Sequence, residues 1–142
     1  MAVRVELSEE IDRPVDVVFK WYAHDHVRNH PRWDPYMELW LDSEAPIGVG
    51  TIIRRRNSRS GTPVEGTMEI VEYEPNRAMG ALIHDGPMEI RGRVTFESVG
   101  PALTKLTLTA DIPGLDDSMS TPMTEAIRGG YRKIKELIEA ET

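Results

Sequence analysis

Three histidines close together near the N-terminus are the first residues of this chain that could do chemistry. His26 and His30 are four residues apart, a spacing that places two imidazoles on one face of a helix, as in many zinc sites. His24 would point away from that face, and no glutamate lies between the pair to act as a general base. We therefore interpret the three as surface or capping side chains, and expect no metal ion and no cofactor.

His84 is a better candidate for acid–base chemistry, because histidine titrates near neutral pH and an acid, Asp85, follows it directly. The sequence His-Asp-Gly-Pro at residues 84–87 predicts a turn, so the imidazole is expected to be exposed. The chain has no Gly-rich phosphate loop, no nucleophile elbow and no Ser/His/Asp signature. Its residues alone therefore identify no catalytic mechanism.

The composition favours a globular protein that does not bind nucleic acid. The length of 142 residues is common for one domain, and we assign residues 1–142 to a single domain. Seventeen basic residues against 24 acidic ones give a formal net charge of −7, which repels nucleic acid and anionic lipid. There is no cysteine, no signal region and no apolar run near the ~20 residues of a membrane span. We expect a cytoplasmic protein that does not insert into membranes.

The N-terminal third predicts a strand followed by two short helices. Apolar and charged residues alternate from Val3, which predicts a strand that ends near Asp12. Pro14 suits the first position of a helix, and apolar residues then recur at helical spacing. A second helical piece is expected over residues 25–29, stopped by Pro31.

The remainder predicts a sheet and a final helix. About six antiparallel strands are expected, over residues 37–42, 51–57, 64–73, 77–83, 88–98 and 103–111. Between Met119 and Ile138, apolar residues recur at steps of three and four, which predicts a long amphipathic helix from near residue 121. This order of elements indicates the α+β class.

Two further features bear on a binding site. Pro31 and Pro35 bracket Trp33, which predicts extended backbone on both sides and a rigidly held indole that plugs a core or forms a pocket wall. Gly129 and Gly130 lie in the middle of the long helix, where each glycine costs about 1 kcal/mol relative to alanine. Close approach of another element, or space left for a ligand, would explain them.

Three motifs of this sequence resemble the polyketide cyclase/dehydrase-like proteins of the START-related helix-grip (SRPBCC) superfamily. They are Trp-x-Pro at residues 33–35, Pro-Ile-Gly-Val-Gly-Thr at residues 46–51 and Val-Glu-Gly-Thr-Met-Glu-Ile at residues 64–70. The resemblance spans residues 3–139. It implies a curved seven-stranded antiparallel sheet that grips the long C-terminal helix, with a deep cavity between them. Relatives bind lipids, hormones or polyketides, and some cyclise or dehydrate their ligands.

The resemblance also implies which residues face that cavity. By analogy with relatives, Ile53 and Arg55 point inward, and an inward arginine needs an acidic partner or an anionic ligand. The alternatives are that Arg55 points outward or pairs with a glutamate. The predicted ligand-binding residues are Trp33, Ile53, Arg55, Met68, Met123 and Ile127. Such a lining is apolar with one cationic anchor, which favours an amphipathic ligand with an acidic head group.

Three functions are therefore open. The first is binding of an apolar or amphipathic, lipid- or polyketide-like molecule between the sheet and the C-terminal helix. The second is a cyclase or dehydratase in which Arg55 stabilises an enolate and His84 or Tyr131 carries a proton. The third is a protein-interaction module that uses the sheet edge or Trp40. The sequence leaves a homodimer open.

Overall fold

The computed structural model describes residues 2–142 and has the expected order of elements. Strand β1 (Ala2–Ile11) leads into helix α1 (Val15–Phe19), a π-helical turn (Lys20–His24) and helix α2 (His26–Trp33). Six strands follow: β2 (Met37–Leu41), β3 (Ile52–Asn57), β4 (Val64–Glu74), β5 (Ala78–Asp85), β6 (Met88–Gly100) and β7 (Leu103–Pro113). A 3-10 turn (Asp117–Met119) then opens helix α3 (Ser120–Glu141).

The seven strands form one antiparallel sheet in the order β1-β7-β6-β5-β4-β3-β2. Strands β2 to β7 lie side by side in the sheet in the order in which they follow one another in the chain. Strand β1 instead pairs with β7 over its whole length and forms one edge of the sheet. The sheet is curved, and α3 lies on its concave face. This arrangement confirms the predicted helix-grip fold and the α+β class.

The core lies between the concave face and the helices. Strand β7 shows the pattern, because Leu106, Leu108 and Ala110 are buried and alternate with partly exposed threonines. From α3, Ile134 and Ile138 enter this core with no exposed surface. The C-terminal half of α3 is joined to the end of β1, since Lys135 donates to the carbonyl oxygen of Glu10 and the backbone N–H of Asp12 donates to Glu139.

Helix α2 differs from the prediction at its C-terminal end. Pro31 does not stop it, since the helix continues to Trp33. A proline removes one backbone donor and disfavours a helix interior, yet here the last turn carries the Trp33 indole, which stacks on His30 and Tyr22. The backbone becomes extended only at Asp34, directly before Pro35. Extended geometry was therefore predicted correctly after Trp33 and wrongly before it.

Strand β5 is longer than the sequence indicated. His84 and Asp85, expected in a turn, are its last two residues and pair with Thr67 and Gly66 of β4. The turn that follows is confined to Gly86 and Pro87, and Gly86 has a positive φ of 57°. This extension decides where the Asp85 carboxylate points.

The structure explains one of the two adjacent glycines of α3. A Cβ atom on Gly130 would lie 3.3 Å from Cδ1 of Trp33, so this glycine lets the indole pack closely against the helix. A Cβ on Gly129 would meet no atom within 4 Å, and nothing in the structure explains that residue. Within residues 2–142, no helix combines the length and the apolar character that crossing a bilayer requires.

Candidate functional site: a buried ion pair beside an open concave face

Arg55 is buried on the concave face and forms an ion pair with Asp85. Its Nη2 donates a hydrogen bond of 3.0 Å to Oδ2, and its Nε lies 2.9 Å from Oδ1. The second contact is charged but too poorly aligned to count as a hydrogen bond. Asn57 donates to the same Oδ2 at 3.2 Å, and Nη2 also lies 3.2 Å from the sulfur of Met37. Arg55 thus has an acidic partner, and that partner is an aspartate rather than a glutamate.

Gly66 makes this ion pair possible. It lies on the strand between the two charged residues, opposite Arg55 on β3 and opposite Asp85 on β5. A Cβ at this position would overlap the carbonyl oxygen of His84 and lie 2.5 Å from Oδ1 of Asp85. Because Gly66 has no side chain, the guanidinium can cross over β4 to reach the carboxylate.

His84 lies on the other face of the sheet. Its side chain is exposed, and its Nε2 is 3.3 Å from Oε1 of Glu89 on the neighbouring strand. Neighbouring residues of a strand point to opposite faces, so His84 points away while Asp85 points into the core. His84 and Arg55 therefore cannot act together on one bound substrate.

Trp33 is the centre of an aromatic cluster between α2 and α3. Its ring stacks on His30 at a centroid distance of 4.7 Å and on Tyr22 at 5.3 Å. Trp21 stacks on it as well, at 5.7 Å. The indole is half-buried, and it packs against Gly130 of α3. The ring thus fills space between the two helices, and its role as the wall of a pocket stays a prediction.

His26 and His30 form a hydrogen-bonded pair inside this cluster, so their interpretation as surface or capping residues is wrong. Nδ1 of His26 lies 2.9 Å from the carbonyl oxygen of Tyr22 and must donate to it. Its Nε2 then accepts from Nδ1 of His30, 3.0 Å away. His24 is exposed and contacts Asp25. Within residues 2–142, no group of three His, Cys, Asp or Glu side chains has the geometry to hold a metal ion.

Burial of His26 makes the stability of the protein sensitive to pH. Desolvation lowers the pKa of His26 to about 4. The hydrogen bond to the backbone of Tyr22 opposes this shift, and the positive charge of Arg55 adds to it. Between its ordinary pKa near 6.5 and this value, the unfolded chain takes up a proton that the folded chain excludes. Desolvation, with the nearby charges of His26, Arg55 and Arg59, also holds the pKa of His30 well below its usual range.

We therefore expect the free energy of unfolding to fall by about 2 kcal/mol for His26 alone between pH 7.5 and pH 5. Urea unfolding across this range measures it. His26→Gln should reduce the slope, because glutamine does not titrate. Equal slopes in wild type and His26→Gln would contradict the neutral, buried state of His26.

Two tyrosines extend the cluster toward the concave face. The hydroxyl oxygens of Tyr22 and Tyr131 lie 2.7 Å apart and are buried. Burial raises the pKa of Tyr22 to about 12 and that of Tyr131 well above its ordinary value, so both hydroxyls stay protonated. The sequence singled out Tyr131 but missed its partner.

The concave face is not filled evenly. Small residues follow one another across β5, β6 and β7, where Gly92 lies between Ala81 and Ala110. A Cβ added to Gly92 would meet no atom within 4 Å, so open space lies above this row. Several apolar residues of the same face, of the segment after β7 and of the first half of α3 pack against the core and are only partly buried: Ile83, Met88, Ile90, Leu115, Met123 and Ile127.

The six residues predicted to bind a ligand are distributed over the core. Ile53 and Met68 are paired on neighbouring strands and buried beside the row that contains Arg55. Met123 and Ile127 are partly buried on α3, and Trp33 lies between α2 and α3. Their contact with a ligand stays a prediction.

Two surface clefts lie elsewhere. One, of about 300 Å³, is bordered by α2 and the segment between β2 and β3, and includes Val27, Leu41 and Ile47. The other, of about 430 Å³, lies on the convex face over β4 to β7, where Glu72 and Arg93 form its charged rim. None of the six residues lines either cleft.

A sequence profile of polyketide cyclase/dehydrase and lipid transport proteins matches residues 2–139 of this chain. The chain belongs to that family. Membership confirms the resemblance seen in the three sequence motifs. No curated protein sequence matches the chain at a significant level.

Solved structures show how widely the fold of this polyketide cyclase/dehydrase family member is shared. A START superfamily protein from Mycobacterium smegmatis is 14% identical, with 98% of this chain and 99% of that chain aligned and a TM-score of 0.80. The Zhui aromatase/cyclase from Streptomyces sp. R1128 is 15% identical over 98% and 94% of the two chains, with a TM-score of 0.72. A norcoclaurine synthase from Thalictrum flavum, in complex with a transition-state analogue, is 13% identical over 100% and 98%, with a TM-score of 0.73. At these identities the likeness establishes the fold and leaves the ligand open.

Proposed function

We propose that this protein binds a small apolar or amphipathic molecule between the concave face of the sheet and the N-terminal half of α3. The observation that carries this proposal is the open space above Gly92, bordered by partly exposed apolar side chains on an inward-facing surface. A protein that needed only a stable core would gain by filling this space, since each buried CH₂ contributes about 0.8 kcal/mol. An apolar ligand would supply the missing contacts.

The first half of α3 is suited to admit such a ligand. Met123 and Ile127 are partly exposed there, whereas Ile134 and Ile138 further along the helix are fully buried. Methionine adapts its shape to different apolar surfaces, because its unbranched side chain is flexible and polarisable. The proposed ligand therefore contacts Met123 and Ile127 at the opening, with Trp33, Ile53, Met68 and the Arg55–Asp85 pair as proposed contacts deeper in the core.

The alternative functions have less support. A cyclase or dehydratase that uses both Arg55 and His84 would need them in one site, and they lie on opposite faces of the sheet. If Tyr131 carried the proton instead, it would do so with a hydroxyl that is bonded to Tyr22 and whose pKa burial holds well above its ordinary value. Trp40, the proposed contact of an interaction module, is partly buried with the guanidinium of Arg56 5.9 Å from the ring centroid. We therefore keep ligand binding as the proposed function.

Titration with N-phenyl-1-naphthylamine, a neutral dye that fluoresces in apolar surroundings, tests this proposal. The wild type should increase the fluorescence of the dye. Gly92→Leu should weaken binding at least about tenfold, because the new side chain occupies the open space that the dye would fill. Gly92 has room for this change, so the variant should fold.

The matched control is Thr95→Leu, which adds a leucine to the convex face of the same strand. It should bind the dye as the wild type does. No fluorescence increase in the wild type, or equal affinities of wild type and Gly92→Leu, would remove the proposed function.

A further inference from the structure

The charges in the core compensate one another. Among the residues whose side chains are described, the buried charged ones are Arg55 and Asp85, and they form one ion pair. The other buried polar groups have partners in the protein as well: Asn29 donates to the carbonyl of Trp21, and Thr104 donates to that of Arg13. The Arg55 guanidinium is thus already neutralised by the Asp85 carboxylate and is not free to bind an acidic ligand. The main argument for a ligand with an acidic head group is therefore lost.

The Tyr22–Tyr131 pair, in contrast, has one hydrogen-bond donor to spare. Two hydroxyl groups carry two protons, and only one of them can lie between the two oxygens. No second acceptor lies within hydrogen-bonding distance of either hydroxyl in the part of the chain that the structure describes. A buried hydroxyl proton without an acceptor is costly, so a ligand that accepts it gains affinity.

The position of the pair suits contact with a ligand. Tyr131 follows Ile127 by one turn of α3, so its side chain lies on the same face as Ile127 and deeper in the core. Tyr22 approaches Phe96 of β6 at a centroid distance of 5.7 Å, and Phe96 shares the concave side of that strand with Gly92. The pair thus connects the aromatic cluster of Trp33 with the concave side of β6, the strand that also carries Gly92.

We propose that the ligand is a neutral, flat apolar molecule with a carbonyl oxygen that accepts this spare hydroxyl proton of the Tyr22–Tyr131 pair. The inference rests on the proposed function and specifies the class of ligand. A carbonyl matches a single neutral donor, and flat rings can stack on the aromatic side chains nearby. An anion would have to leave water without a free cation to receive it.

Three molecules of similar shape test the inference by displacement of N-phenyl-1-naphthylamine: fluorene, fluorenone and fluorene-9-carboxylate. Fluorenone differs from fluorene by the carbonyl oxygen. In the variant Tyr22→Phe/Tyr131→Phe, the ratio of the Kd of fluorene to that of fluorenone should fall about tenfold relative to the wild type. The Kd of fluorene itself should change little. Each single Tyr→Phe variant should keep the wild-type ratio, because the remaining hydroxyl can still donate.

The outcomes separate this inference from the proposed function. If fluorene and fluorenone bind but the double variant leaves their ratio unchanged, the carbonyl contact is wrong while apolar binding stands. If fluorene-9-carboxylate binds more tightly than fluorene at pH 7, the ligand is not neutral. If neither fluorene nor fluorenone binds and the dye does not bind either, both proposals fall.

A second measurement needs no variant. Infrared spectra of fluorenone bound to the wild type should show the carbonyl stretch at lower frequency than in hexane, because a hydrogen bond weakens the C=O bond. A stretch at the hexane frequency would overturn the inference even if the double variant did not fold. Removing both hydroxyls together leaves no unpaired partner, so that variant is expected to fold.

Discussion

Asp85→Asn should destabilise the protein by about 3–5 kcal/mol, because it leaves the Arg55 guanidinium buried without a compensating charge. Asparagine has nearly the same shape as aspartate, so the effect reports the charge and not a cavity. Urea unfolding at pH 7, with the wild type measured in parallel, gives the difference in the free energy of unfolding. A loss of this size is a large part of the 5–15 kcal/mol that is typical of a domain.

The same substitution at an exposed ion pair is the matched control. Asp111 lies 3.5 Å from Arg4, with both side chains largely exposed, and Asp111→Asn should cost no more than about 1 kcal/mol. Arg55→Met combined with Asp85→Asn should recover part of the loss, since no unpaired charge then remains buried. If Asp85→Asn lowered the free energy of unfolding as little as Asp111→Asn, water would have to reach the Arg55 guanidinium, and the ion pair would not be buried.

Ile134→Asp should leave the protein largely unfolded at 25 °C. The Ile134 side chain has no exposed surface, and truncation of such a residue alone costs about 2–5 kcal/mol. Aspartate adds the cost of a carboxylate in the centre of the core, where the buried cation among the described side chains, Arg55, is already paired with Asp85. Far-ultraviolet circular dichroism and the thermal melting curve measure the result.

Ile52→Asp provides the control, because Ile52 is 55% exposed on the convex face of β3. Its melting curve should shift only slightly. A cooperative melt of Ile134→Asp near the wild-type temperature would show that α3 is not gripped by the sheet at this position.

The sequence predicted most of the fold because hydrophobic periodicity depends on local pattern. The alternation along β7 and the three-four spacing along α3 correctly place Leu106, Ile134 and Ile138 in the core. Errors occurred where packing overrides local preference. Pro31 lies inside α2, whose last turn carries the packed Trp33 indole, and β5 continues to Asp85, which pairs with Gly66 of β4.

The site was harder to predict, since its contacts join residues far apart in the chain. The sequence indicated an inward Arg55 through a family resemblance, but it placed Asp85 in a turn and so missed the ion pair. Register would have revealed the partner: Gly66 is opposite both residues, and a glycine between two charged inward positions is the signal. The histidine pair was misassigned because four-residue spacing does not tell which face of a helix is buried.

The glycine between the two charges also limits how this chain can evolve. Positions 55, 66 and 85 form one unit, because a side chain at 66 would occupy the space through which Arg55 reaches Asp85. A side chain at 66 would also overlap the carbonyl oxygen of His84, so neutral residues at 55 and 85 would not by themselves make a larger residue tolerable there. Descendants of this sequence can therefore replace the two charges together by apolar residues, but they must keep Gly66 as long as β4 and β5 stay in this register.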